Sequence, residues 1–95
     1  MTDAEMLTIL KQDLQISTAA YDSRLNHMLD AAKEYIAREG ITLDLSDVGD
    51  CFLVIMYAGY LYRGRREDKN GGMPRMLRYN LNNRLIAEKG AVIDG

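Results

Sequence analysis

With 95 residues, 47% of them apolar and 27% charged, the chain has the proportions of one ordinary globular domain with a small core. Its one cysteine excludes an internal disulfide and a cysteine-built metal cluster. Its longest uncharged apolar run, the twelve residues from Cys51 to Tyr62, is too short for a transmembrane helix, which needs roughly 18–20 apolar residues.

Taken in order, residues 3–14 place Leu7, Leu10 and Leu14 at helical spacing, with Thr2 or Asp3 as cap and Glu5 near the start. Residues 15–18 form a short connection that tucks Ile16 against the core. A second helix is predicted from about Thr18 to Glu39, with Tyr21, Leu25, Met28, Leu29, Ala32 and Ile36 on its apolar face and Gly40 ending it. Ile41, Leu43 and Leu45 alternate as in a strand, but no second strand is available to pair with them. The segment therefore reads as a buried connector.

The run from Val48 to Tyr62, VGDCFLVIMYAGYLY, is the centre of the chain. It is apolar on every side and longer than the usual strand, so it is predicted to be a helix wrapped by the others. Ser46 is its expected N-cap, with Asp47 and Asp50 facing the positive end of its dipole and Arg63, Arg65 and Arg66 at the opposite end. Residues 67–72 read as a loop. Pro74 restarts a last helix bearing Met76, Leu77, Leu81, Leu85 and Ile86, expected to end near Lys89 and Gly90, with 91–95 as a mobile tail. The fold class is all-α: a four-helix domain over residues 1–90 with a buried central third helix.

Charge divides the chain. Residues 1–50 hold ten acidic and four basic side chains, whereas residues 51–95 hold eight basic and four acidic. Either the two halves neutralise each other within one domain, or the acidic surface of one copy meets the basic surface of the next. The second arrangement closes into a ring or grows into a filament.

Chemistry is sparse. His27 has no second ligand at helical spacing, and Cys51 lies in an apolar run where a thiolate is disfavoured. Gly71-Gly72 lacks the lysine and spacing of a phosphate loop. No catalytic residue, metal or cofactor is expected. The cluster of Arg63, Arg65, Arg66, Lys69, Arg75 and Arg78, with Tyr57, Tyr60, Tyr62 and Tyr79 nearby, offers phosphate contacts and stacking surfaces. This gives a second reading, a small DNA-binding or DNA-packaging accessory protein using residues 63–78. Against it stand an overall pI of about 5.3 and tyrosines at core-like positions. Asn80, Asn82, Asn83 and Arg84 are poor choices for helix propensity alone. They suit either an interface or a solvated face.

The order of these segments resembles the head–tail connector family of long-tailed phages and their prophage relatives. The residues behind the resemblance are DAAKEYI (Asp30 to Ile36), the link after it, YAGYLYRGRRE (Tyr57 to Glu67), the glycine-containing loop, and MPRMLRYNLNNRL (Met73 to Leu85). The resemblance spans nearly the whole chain and implies a structural subunit made in the bacterial cytoplasm and placed in the virion at the head–tail junction. It implies a ring of about twelve copies beneath the portal protein, joined on its far side to a tail or stopper protein. DNA passes through such a ring without sequence-specific binding, and no membrane is involved. Arg63, Arg65, Arg66, Gly71, Gly72, Arg75, Arg78, Asn82 and Asn83 are the expected contacts to neighbouring subunits or the portal.

Overall fold

Helix α1, Asp3–Leu14, begins where Thr2 leaves helical backbone and closes a reciprocal capping box with Glu5. The Glu5 N–H donates to Thr2 Oγ1 at 3.1 Å, and the Thr2 N–H donates to Glu5 Oε1 at 2.8 Å. Thr2→Ala is therefore expected to cost about 1 kcal/mol in urea unfolding, and Thr2→Ser close to nothing. The helix ends on Gln15, which adopts left-handed backbone at φ 58° and returns its N–H to the last turn. The computed structural model describes residues 1–67 and 73–94, with side chains up to residue 64 and from 73 to 90.

A single 3-10 turn, Ala19–Tyr21, capped by Thr18, leads into α2, Asp22–Arg38. Leu25, Leu29, Ala32 and Ile36 form the buried stripe of α2, Met28 packs beside it, and Tyr21 stays exposed. Gly40, at φ 102°, supplies the left-handed residue that turns the chain out of the helix. The 41–45 segment is not a strand: Ile41 is buried, and Leu43 and Leu45 pack partly against the core.

Helix α3, Val48–Glu67, lies against both α1 and α2. Its cap is Asp47, not Ser46. Asp47 Oδ2 accepts the Asp50 N–H at 3.0 Å, while the Ser46 N–H and hydroxyl both turn back to Asp44 Oδ1. A carboxylate one residue closer to the first free N–H groups takes the capping role. Cys51, Leu53, Val54, Ile55, Tyr57 and Ala58 are buried among Met6 and Leu10 of α1 and the α2 stripe. Enclosure is incomplete on one side, where Val48 and Phe52 face solvent.

Helix α4, Arg75–Asp94, starts one residue after Pro74, whose carbonyl accepts the Arg78 N–H at 3.1 Å. The helix continues through Gly90 to Asp94, four residues beyond the end expected from sequence. Gly90 here is a helical residue and no stop, so the expected tail at 91–95 is helical backbone as far as 94. The side chains of 91–94 and residue 95 lie outside the described residues. Of the apolar residues this helix carries, Leu77 and Leu81 are buried and Leu85 packs partly, whereas Met76 and Ile86 are exposed. Among the described residues there is no strand, and no helix is long and apolar enough to cross a membrane.

Candidate functional site

Of the side chains expected to act together, the structure describes those of Arg63, Arg75, Arg78, Asn82 and Asn83. Arg63, near the end of α3, donates from Nη2 to the Asp13 carbonyl at 3.2 Å, which ties α3 to the end of α1. Arg78 makes a two-pronged ion pair with Glu39, Nη1 to Oε1 at 2.9 Å and Nη2 to Oε2 at 3.1 Å. A weaker bond runs from Arg78 Nη1 to Asn82 Oδ1 at 3.4 Å. The Glu39 carboxylate raises the guanidinium's pKa above its already high ordinary value. Arg75 and Asn83 are exposed. The side chains of Arg65 and Arg66, together with Lys69, Gly71 and Gly72, lie outside the described residues.

The strongest electrostatic feature was not legible in the residue pattern. Asp50, expected only to face the helix dipole, is almost completely buried and paired with Arg84. Arg84 donates from Nε to Asp50 Oδ1 at 2.8 Å and from Nη2 to Asp50 Oδ2 at 3.2 Å. The same guanidinium reaches the Thr42 carbonyl at 2.8 Å and Glu88 Oε1 at 3.0 Å. Glu88 Oε1 in turn accepts the Thr42 N–H at 3.0 Å. Burial pushes the Asp50 carboxyl up, but hydrogen bonds from Arg84 and from the Asp44 N–H outweigh it and hold the group below the usual aspartate range. One arginine thus joins α3, α4 and the connector between α2 and α3.

Beside this network, an open groove of about 460 Å³ lies between side chains of α3 and α4. Phe52, Leu53 and Met56 form its apolar wall, and Asn80, Asn83 and Arg84 its polar one. Asn80 Nδ2 sits 3.6 Å from Met56 Sδ. The asparagines of α4 therefore divide between two settings: Asn82 beside the Arg78–Glu39 pair, and Asn80 and Asn83 along the groove.

Of the tyrosines considered for base stacking, Tyr57 lies in the core and Tyr79 on the surface. Tyr57 is buried, stacked on Tyr35 with centroids 6.0 Å apart and edge-on to Tyr60 at 5.9 Å, and burial pushes its hydroxyl pKa up. Arg38 lies 5.5 Å over the outer Tyr35 ring. Tyr79 is well exposed. Cys51 is fully buried and donates its thiol to the Leu45 carbonyl at 3.1 Å, whereas His27 is on the surface. Among the described residues no three His, Cys, Asp or Glu side chains come together as a metal set. Compared with protein-family models, curated proteins and solved structures, the chain matches none.

Proposed function

We propose that this chain is a structural virion protein, a head–tail connector subunit that assembles as a ring under the portal, extends the DNA channel and offers its far face to a tail or stopper protein. The observation behind this reading is the order of the segments Asp30 to Ile36, Tyr57 to Glu67 and Met73 to Leu85 along a four-helix domain. In the structure these three segments lie in α2, in the C-terminal half of α3 and across the start of α4. No catalysis belongs to the role, and no cofactor.

A ring subunit needs two different surfaces that fit each other, because each copy meets its two neighbours through opposite faces. The uneven charge of the chain supplies a basis for such a contact, but not all of it is available. Arg78 and Arg84 are already paired with Glu39 and Asp50 of the same chain. The contact between copies therefore relies on exposed groups such as Arg75 and Asn83, and on Arg63, Arg65, Arg66, Gly71 and Gly72 near the α3–α4 junction.

Native mass spectrometry of the purified chain at high concentration, with negative-stain images of the same sample, tests the reading. The expected result is a closed ring of about twelve copies, formed alone or on an added portal ring. A chain that stays monomeric and also fails to bind a portal ring overturns it.

A further inference from the structure

Helix α4 has apolar side chains on two opposite faces, and the fold uses only one of them. Leu77, Leu81 and Leu85 turn toward the core. Met76, Tyr79 and Ile86 are 63%, 60% and 67% exposed. At 3.6 residues per turn, Tyr79 projects about 160° away from Leu81, so this second set points outward. With Asn83 it falls at i, i+3, i+7 and i+10, the seam spacing of a helix that packs along another helix, with one polar residue inside the seam. Single exposed apolar residues are ordinary, but three aligned on one face of a helix have the pattern of a docking surface.

The surroundings of the stripe indicate what it fits. Along one edge run Arg75, Asn82 and Lys89, spaced by seven. Lys11, Lys33, Arg38, Arg78 and Arg84 each have a carboxylate partner within 4.0 Å, whereas Arg75 and Lys89, like Arg24 and Arg63, have none among the described residues. The opposite edge opens into the groove walled by Phe52 and Met56, with room for a large side chain of an incoming helix. An antiparallel second copy of the same stripe would set Arg75 beside its mate's Lys89, like charge against like charge.

We propose that the outer face of α4 docks an amphipathic helix of another protein, apolar at the matching seam positions and acidic along the edge that meets Arg75 and Lys89. The face shares Arg75 and Asn83 with the subunit contact proposed above, so helix docking and ring assembly compete for it, and the peptide test reads docking on the unassembled chain.

The test uses the full chain and two labelled synthetic helical peptides about three heptads long. Both have leucine at the seam positions, one with glutamate and the other with lysine on the flanks. Fluorescence anisotropy is expected to show binding of the glutamate peptide and at least about tenfold weaker binding of the lysine peptide. Tyr79→Glu should weaken the glutamate peptide by about tenfold or more. Arg75→Glu combined with Lys89→Glu should exchange the preference between the two peptides. All three positions are exposed, and an unchanged helical circular dichroism spectrum checks that each variant folds. Failure of the glutamate peptide to bind, equal binding of both peptides, or binding indifferent to Tyr79→Glu overturns the proposal. So does self-association of the chain that Tyr79→Glu abolishes without any peptide binding, which would assign the face to a second copy.

Discussion

Replacing Arg84 with methionine is expected to lower the unfolding free energy by about 3 kcal/mol, measured by urea denaturation near neutral pH. The cost arises from what remains: Asp50 stays almost fully buried, keeps the Asp44 N–H, and loses the cation that balances its charge. A buried pair need not add net stability over an apolar substitute, but removing one partner leaves an uncompensated charge in a low-dielectric site. The double variant Asp50→Asn, Arg84→Met should therefore recover much of the loss, since the amide can still accept the Asp44 N–H. Strict additivity of the two single effects would show that the residues are not coupled.

The same pair sets a direction for pH. The folded state holds the Asp50 pKa below its unfolded value of about 3.9. Its contribution is present above that value and is lost as pH falls through it toward the depressed one. In the Arg84→Met chain, burial of Asp50 is opposed mainly by the Asp44 N–H, so the acid sensitivity contributed by this group should vanish or reverse in sign.

The second large effect separates the two faces of α4. Leu81→Ala is expected to destabilise by about 3 kcal/mol, because Leu81 is fully buried and its removal leaves a cavity that the surrounding helices fill only in part. Ile86→Ala, five residues on and on the open face, should change stability by no more than about 0.5 kcal/mol. Equal losses at the two positions would contradict the packing of this helix.

Much of the fold was legible because it is written locally. The capping box at Thr2 and Glu5 and the stripe of α2 are short-range patterns with direct structural meaning, as is the glycine after α2. The buried central helix followed from one uninterrupted apolar run. Misplacements arose where the residue pattern offers two local solutions: Asp47 against Ser46 as cap, and Gly90 as a stop or a helical residue. Met76 and Ile86 were grouped with Leu77, Leu81 and Leu85 because apolar identity alone does not say which face of a helix is covered.

The polar contacts were legible least. Asp50 and Arg84 are separated by 34 positions and Glu39 and Arg78 by 39, so no spacing rule connects them. The only hint lay in composition, an acidic first half and a basic second half. These two pairs are instances of neutralisation within the domain, and they remove two arginines from the set available to a neighbouring copy.

The link at residue 42 also makes the attachment of α4 observable from a distance. Thr42 is exposed, yet its N–H is held by Glu88 and its carbonyl by Arg84, both from the last helix. Its amide can exchange with deuterated solvent only when the Glu88 contact opens. Its protection factor is therefore a gauge of local opening, and where that opening is the lifting of α4 it reports the free energy that holds the helix down. A partner that grips α4 from outside without displacing it should slow this one amide without touching it.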